Sequence, residues 1–524
     1  MKNILKKNTT ILLLLLFLGL VTFSNSFDNA FLMDDFPMLV GNISIGAPDF
    51  LQLDPNAKSQ VYFRPVSHFF NLITFTLFGK APAGYHLVNL LLFVAGGFTF
   101  FLLIEKVFAN RWAAFWAAAL AIIHPINSVC VNYKNATSYP FLFFALGLAL
   151  WHAFEDAEKN SWNEKILTVL WLAMALLCHE IAFAFPLYLA SLLYFSGRFS
   201  LRGIIRSCAP STILLGIYFI FRLQFASLGK TVVSQGAALS VSFLSFFSDI
   251  GQILFWYVSK IVFLKDIVLI WDVPSGGSGL WGTGLIVFLI GTIAAAVFLR
   301  KRNPLAALGL AWFWAGVIPV LFACFSRPWF GIIIEPFWLI MSSLGFFLFF
   351  ASILYQIFSR QVVKITAALL VFLAVVIVPA AWRYNDLWGN AVHYSEYWMK
   401  ISPRNFFPRF WLAYSLIDKK DYPHARDVLS GLIDGGLRYE WTYGNLGIAE
   451  YHLKHYAQAE TAFKEALRFD PRRGDTHYYL GMVFLATGNI EKAEKAFNNA
   501  LRLSPEIVDT KKQLEVIRAQ RAGH

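Results

Sequence analysis

Cysteine and charge are both scarce in this chain. Four cysteines in 524 residues, Cys130, Cys178, Cys208 and Cys324, lie scattered in or beside apolar segments with no Cys-x-x-Cys pair, a pattern that suggests neither a disulfide framework nor a thiolate metal site. Only 15% of the residues are charged and 57% are hydrophobic, which is too apolar for a soluble globular protein of this length. The formal net charge of +12 does not mark a nucleic-acid surface, because much of the Lys and Arg sits in short loops between apolar runs, where it reports membrane orientation. No internal duplication of those runs is visible, which argues against a transporter built from repeated halves.

The apolar runs themselves are long enough for roughly 30 Å of hydrocarbon, and they recur to about residue 381 before stopping. Spans are read near residues 10–23, 85–104, 112–127, 138–154, 166–178, 182–196, 209–225, 281–299, 305–324, 337–358 and 363–381, about eleven in all. Lys2, Lys6 and Lys7 place the N-terminus in the cytoplasm, and the clusters Arg198/Arg202/Arg206, Arg300/Lys301/Arg302 and Arg360/Lys364 then fall on the same side. The first run, followed by Ser24 and Ser26, also fits a cleaved signal peptide, which leaves the remaining topology unchanged. Residues 226–280 begin and end outside, and the apolar stretch SFLSFFSDIGQILFWYVSKIVFL within them is read as an interfacial or re-entrant helix. An odd span count puts the loop 28–84 and the C-terminal domain on one extracytoplasmic side.

Beyond the apolar runs the chain repeats with a period of 34: Leu412, Leu446 and Leu480 align, as do Ala413, Gly447 and Gly481, then Ala425, Ala459 and Ala493, then Leu429, Phe463 and Phe497, then Leu432, Ala466 and Ala500. This is the tetratricopeptide pattern, in which small residues let paired helices approach while large ones fill the space between pairs. Three repeats and a polar helix near 506–520 make a minimal capped array. The expected fold is therefore all-α: a polytopic membrane helix bundle over 1–384, a connector 385–404, and a tetratricopeptide-repeat solenoid over 405–524. Such arrays bind peptides or serve as structural appendages.

The stretch FLMDDFPMLV carries Asp34 and Asp35 side by side shortly after the first apolar run. Paired aspartates usually mark a solvated turn, but apolar flanks place these at the membrane interface. Arg64, His68, His86, His124, Lys134, His179, Glu180, Arg327 and Glu335 recur at the same face, several inside apolar runs where burying charge is costly. The plainer alternatives are that His68 and His124 cap helix ends, that Glu180 and Glu335 pair with Arg327 or Lys134, and that Arg222 in YFIFRLQF snorkels to the interface. A carboxylate beside basic groups suits a lipid-linked phosphate donor: the cations, with Lys134 and Arg327 the best by chemistry, hold the phosphate while the carboxylate takes a proton from an attacking hydroxyl. Neighbouring carboxylates with a Glu or His nearby also suit a divalent cation, although the sequence does not demand one.

The ordered pieces FLMDDFPML, YFRPVSHFFNLITFTLFG, GYHLVNLLLF, AIIHPINSVCVNYKNATSYPFLFF, LLCHEIAFAFPL, GIIIEPFWLIMSSLGF and AWRYNDLWGNAVHYSEYWMKISPRN, leading into the repeats, resemble the transmembrane and tetratricopeptide-repeat-containing O-mannosyltransferases. These are polyprenyl-phosphate-dependent glycosyltransferases of the C-type membrane fold. The resemblance implies that Asp34 and Asp35 match the acidic motif of the first large loop, one of them the catalytic base, and that Arg64 and His86 match positions shaping the donor site. It implies transfer of a sugar, mannose in that family, from a polyprenyl-phosphate carrier to a Ser or Thr hydroxyl, with the chain in a bacterial inner membrane and its repeats in the periplasm. Where the family reads HPVHTEAV and CKEQ, this chain reads HPINSVCV and CHEI.

Overall fold

A computed structural model describes residues 2–32, 64–225, 243–272, 279–325, 333–505 and 507–522. The chain divides into two compact units, Met1–Gly389 and Asn390–His524. The stretch read as a connector contributes the end of one helix, Val378–Leu387, to the first unit and another, Ala391–Ile401, to the second.

In the first unit the helices are α1 Lys2–Thr22, α2 Pro65–Phe78, α3 Pro82–Phe108, α4 Arg111–Ile123, the short α5 Val129–Asn132, α6 Ser138–Lys159, α7 Trp162–Leu176, α8 Phe185–Ser196, α9 Leu201–Phe225, α10 Phe243–Phe263, α11 Gly279–Leu299, α12 Pro304–Phe325, α13 Ile340–Phe358, α14 Val362–Phe372 and α15 Val378–Leu387. Local sequence sets several of their ends. Prolines open α2, α3 and α12, where the missing N–H is not needed. Asn110 accepts from the Ala113 N–H at 3.0 Å and starts α4, and Asn160 in the left-handed region closes α6. One antiparallel contact, Trp271–Asp272 (β1) with Ile333–Ile334 (β2), ties two loops of the unit together.

Packing within the unit relies on glycine as well as on buried aromatics such as Trp116, Trp312 and Phe100. A Cβ on Gly345 of α13 would lie 2.4 Å from the Phe313 backbone N of α12, and one on Gly309 would lie 2.7 Å from the Gly345 carbonyl oxygen. Backbone meets backbone there, as helices do in lipid when small residues face each other. Opposite ends of α3 and α6 differ in chemistry. Their C-terminal ends carry the ion pairs Lys106–Glu155, Lys106–Glu158 and Lys159–Glu155, with Arg198 on Glu158 at 2.6 Å. Their N-terminal ends carry His86 and Tyr139.

Among the described residues, five helical stretches are long and apolar enough to cross a membrane, Pro82–Phe108, Leu201–Arg222, Gly279–Leu299, Pro304–Leu321 and Pro336–Leu387, or up to six if the bent pair Arg111–Ile123 and Pro125–Asn132 is one span. The expected count of about eleven is not reached: the run at 10–23 gives only the shorter apolar helix Lys7–Thr22, the run at 138–154 lies in Ser138–Lys159, which is not among the candidate spans, and three physical reasons account for the rest. The apolar runs at 166–178 and 182–196 form helices of 15 and 12 residues separated by a turn at His179, which at about 1.5 Å per residue fall short of roughly 30 Å. The run at 112–127 bends by 55° between Ile123 and Pro125. The runs at 337–358 and 363–381 lie in one continuous apolar stretch, Pro336–Leu387. The stretch expected to be interfacial contains α10, whose Trp256 and Tyr257 are buried.

The second unit continues with α16 Ala391–Ile401, then the pairs α17 Phe407–Asp418 and α18 Tyr422–Asp434, α19 Glu440–His452 and α20 Tyr456–Phe469, α21 Gly474–Ala486 and α22 Ile490–Leu503, and the closing α23 Val508–Ala522. The 34-residue period is visible as packing. A Cβ on Gly447 would lie 2.6 Å from the Phe463 ring, and one on Gly481 would lie 2.8 Å from the Phe497 ring. In the first pair the small position is Ala413 and its partner is the slimmer Leu429, both fully buried in one cluster. Size is thus exchanged within each pair, Ala with Leu and Gly with Phe. Gly481→Ala is expected to cost about 1–3 kcal/mol by overpacking. Adding Phe497→Leu, which rebuilds the first pair's combination, should restore at least about 1 kcal/mol relative to additivity in thermal unfolding of the purified chain. Strict additivity would contradict this packing account.

Candidate functional site

Six side chains converge where α2 begins, α6 begins and the turn after α7 meets α9. Arg64 is the residue before Pro65, which opens α2. Its Nη2 donates to Glu180 Oε2 at 3.0 Å and contacts His179 Nε2 at 2.9 Å. Arg222 of α9 places its Nη2 2.8 Å from Glu180 Oε1, so each carboxylate oxygen faces a different guanidinium. Arg222 also donates to the Tyr218 hydroxyl at 3.3 Å, one turn back, and that hydroxyl donates to the Leu176 carbonyl at 2.8 Å. The Tyr139 hydroxyl lies 2.7 Å from His179 Nε2.

The group grades from open to closed. The Glu180 and Arg64 side chains are 30% and 23% exposed and that of Arg222 only 3%. In an otherwise apolar unit such a charge must be paired, and here one anion serves two cations. His179 accepts from the Ile181 N–H through Nδ1 at 3.2 Å, capping the turn Glu180–Ala184. With that cap made, its proton sits on Nε2 toward the Tyr139 oxygen and the ring meets Arg64 donor to donor. With the proton on Nδ1 the ring instead accepts from both Tyr139 and Arg64 and gives up the cap. Each arrangement uses a neutral ring, since an imidazolium would stand against the guanidinium.

The remaining expected site residues divide. His124 repeats the capping device: its Nδ1 accepts from the Ile126 N–H at 3.2 Å and its Nε2 reaches the Ile261 carbonyl at 2.9 Å. It is a helix-end residue held by backbone. Buried His86 faces two carbonyls, Val131 at 2.9 Å and Asn29 at 3.3 Å, and stands with a group of buried amides rather than with Arg64. In that group the Asn29 amide donates to Asn132 Oδ1 at 3.1 Å and the Asn132 amide to Asn385 Oδ1 at 2.7 Å, while the Asn385 amide donates to the Thr22 carbonyl at 3.0 Å. Lys134 is 1% exposed and opens the turn Lys134–Thr137, and Glu335 precedes the turn Pro336–Leu339 within electrostatic reach of Tyr139. His68 lies on α2, one turn beyond Arg64. Asp34, Asp35 and Arg327 lie outside the described residues. The chain entering the Asp34–Asp35 stretch is fixed by Asn29 and by Phe31, whose ring meets Tyr85 edge-on at 5.3 Å.

Two expectations are corrected. Glu180 pairs with Arg64 and Arg222, two partners that the sequence does not suggest for it. Arg222 does not snorkel: it is closed in beside Tyr218. Its signal was present in the sequence, a lone charge in YFIFRLQF, but a pairing 42 residues away along the chain (222 − 180) leaves no local trace. Among the described residues no group of three or more His, Cys, Asp or Glu could hold a metal ion.

The repeats form a second, shallower candidate surface lined by Trp441, Asn445, Ile448, Arg473, Asp475 and Tyr479. Burial works to raise the Asp475 carboxyl, but the Arg473 guanidinium, 2.6 Å away, and the Thr476 N–H at 2.7 Å outweigh it and hold the carboxyl below its usual range.

The shared carboxylate predicts an order of stabilities. Glu180→Gln takes the shared carboxylate away from both guanidiniums and should cost about 3–5 kcal/mol, the range for stripping one partner from a buried ion pair. Arg64→Gln leaves Glu180 with Arg222 and should cost about 1 kcal/mol. Thermal midpoints in detergent check the order, and equal losses would contradict it.

A tetratricopeptide-repeat family model matches residues 445–506, which span the α19–α20 and α21–α22 pairs. No curated protein matches the chain. Among solved structures the chain is similar to the crystal structure of MamA protein, at 20% identity over 26% of this chain and 74% of that one with a TM-score of 0.24. It is similar to MamA 41-end from Desulfovibrio magneticus RS-1, at 19% identity over 25% and 75% with a TM-score of 0.24. It is also similar to the APC/C hetero-tetramer Cut9–Hcn1, at 12% identity over 86% and 92% with a TM-score of 0.25. The C-terminal unit carries tetratricopeptide repeats.

Proposed function

We propose that the protein is a membrane glycosyltransferase of the C-type architecture that takes a sugar, mannose in the first instance, from a polyprenyl-phosphate carrier and passes it to a hydroxyl acceptor, a protein Ser or Thr. The reaction would run on the extracytoplasmic face of a bacterial inner membrane, with the repeats in the periplasm presenting the acceptor. The observation that supports it most is the convergence of Arg64, Tyr139, His179, Glu180 and Arg222 in an apolar unit, because ionisable groups are kept in such surroundings at a cost that function repays. The chain entering the Asp34–Asp35 stretch is anchored at Asn29, and Arg64 lies at the far end of the segment that contains it.

The mechanism is an inverting single displacement. Asp34 or Asp35 takes the proton from the acceptor hydroxyl, the acceptor oxygen forms a bond to the anomeric carbon, and the bond from that carbon to the phosphate oxygen breaks with its electron pair leaving on the phosphate. Arg64, with Lys134 and Arg327 as further cations, meets the charge that develops on the leaving group. His86 shapes the donor site indirectly, through its backbone partners at Asn29 and Val131. A divalent cation at Asp34–Asp35 is compatible with this chemistry and is not required by it.

The family match at 445–506 favours one second reading, a membrane-anchored scaffold whose repeats recruit protein partners without catalysis. Transfer of labelled mannose from a polyprenyl-phosphate carrier to periplasmic protein separates the two. The purified chain is expected to transfer label and the Asp34→Asn, Asp35→Asn double variant to lose transfer by about 10²-fold or more. A folded chain that transfers none of several donor sugars would overturn the enzyme reading in favour of the scaffold.

A further inference from the structure

We infer that the end of the first unit opposite the Arg64–Glu180 group carries a docking rim for anionic phospholipid head groups, made by Arg300, Lys301, Arg302, Arg360 and Lys364. The inference rests on the unit lying in a bilayer and not on sugar transfer. Local structure gathers the five cations. Arg300 follows α11, and the Arg302 and Asn303 N–H groups close a tight turn there by donating to the Leu299 carbonyl at 3.0 and 2.7 Å. Asn303 fastens that turn to α13: its amide donates to the Ser352 carbonyl at 3.1 Å and to Gln356 Oε1 at 2.9 Å. Its Oδ1 accepts from the Ala306 N–H at 3.1 Å and caps α12. Arg360 sits in the turn Ser359–Gln361, four residues beyond Gln356, and Lys364 in the first turn of α14. Trp112 marks which end of the unit this is. Beside Arg111 at the start of α4, it donates to Thr366 Oγ1 of α14 at 2.9 Å, and its ring lies 5.8 Å from that of Tyr355 on α13.

Charge at this end is divided unevenly. On the α3–α6 side each of the cations Lys106, Arg111, Lys159 and Arg198 meets a carboxylate, Glu105, Glu155 or Glu158. On the α11–α14 side all five cations are exposed, and none of them meets a carboxylate among the described residues. The sequence offers none nearby: from residue 299 to residue 364 the one carboxylate is Glu335, which precedes α13 and so lies at its far end. Cations held on fixed turns without an internal counter-ion suit an anionic surface, to which each adds its own attraction. The surroundings select a lipid among anions. Phe298, Ile357, Phe358 and Val363, neighbours of these cations along the chain, are exposed, and the Arg302 guanidinium lies 3.9 Å from the Phe298 ring centre. A phospholipid brings phosphate to the cations and acyl chain to the apolar side chains, whereas a soluble anion or an acidic protein would leave the latter in water. Bulk phospholipid also outnumbers any sugar carrier in a bilayer, so it is the occupant.

The test uses the full chain in a nonionic detergent, with phosphatidylglycerol, phosphatidylcholine and inorganic phosphate as separate probes. It reads both affinity and the ligand-induced rise in thermal midpoint. Phosphatidylglycerol should raise the midpoint and phosphatidylcholine should not. Each cation near an anionic surface is worth roughly a fivefold change in binding. The triple variant Arg300→Gln, Lys301→Gln, Arg302→Gln and the pair Arg360→Gln, Lys364→Gln should therefore each bind phosphatidylglycerol about tenfold or more weaker than wild type. A control triple in the repeat unit, Lys464→Gln, Arg468→Gln, Lys512→Gln, removes as many exposed positive charges as the rim triple and should bind as wild type does. Equal stabilisation by the two lipids would show apolar solvation alone and overturn the inference. Inorganic phosphate acting as strongly as phosphatidylglycerol would assign the cations to a free anion and overturn it too. Rim variants that bind within about threefold of wild type, or a control triple that loses as much as they do, would do the same. Should the rim triple fail to fold, the Arg360, Lys364 pair decides. None of these readouts involves sugar transfer: a chain that transfers no sugar leaves the rim standing, and a chain that transfers sugar without this lipid preference overturns the rim alone.

Discussion

One carboxylate shared between two guanidiniums is the constraint around which the first unit is arranged. Glu180 holds Arg64, which opens α2, and Arg222, which lies near the end of α9. Those three residues come from separate stretches of chain, so the ion group fixes the start of α2, the turn after α7 and the end of α9 against one another. Burial makes the constraint strict, because a charge left without its partner in apolar surroundings has no water to fall back on. His179 adds to it by capping the turn that carries Glu180 and by meeting the Tyr139 hydroxyl.

A second buried network, Asn29, Asn132 and Asn385 with His86, does for the other end of the loop what Glu180 does for Arg64. Its partners are amides, which carry no net charge and are satisfied in pairs. It is therefore rigid scaffold, and it ties the entry to the Asp34–Asp35 stretch to the start of α3 and the end of α15. The ion pairs at the other ends of α3 and α6, around Lys106 and Glu155, leave an apolar middle between two polar ends. Tyr139 and Glu155 are sixteen residues apart on one helix, roughly 24 Å at the helical rise.

Legibility in the sequence followed the range of the interactions. The repeats were readable because their period is local and their small and large positions alternate in register, down to Gly447 against Phe463 and Gly481 against Phe497. Glu180 and His179 were flagged by the cost of charge in an apolar run. Arg222 was misread because a lone arginine near the end of such a run looks the same whether it reaches water or a carboxylate elsewhere in the chain. His124 and His179 look alike as well, each followed two residues on by an isoleucine whose N–H it accepts, and only the third dimension shows that one turn faces Arg64 and the other the Ile261 carbonyl. Fewer candidate spans than expected stand among the described residues because hydropathy measures composition, whereas crossing a bilayer needs unbroken length, and turns at His124 and His179 interrupt the helices there.

The measurement that bears most directly on the account is photo-crosslinking of a polyprenyl phosphate carrying its reactive group beside the phosphate, followed by mapping of the labelled peptides. The account predicts labelling confined to peptides that contain Asp34–Asp35, Arg64, Lys134, Tyr139, Glu180 or Arg327, and its loss when excess unlabelled lipid phosphate is added. Labelling spread along exposed apolar helices such as α11, or confined to the repeat unit, would contradict it.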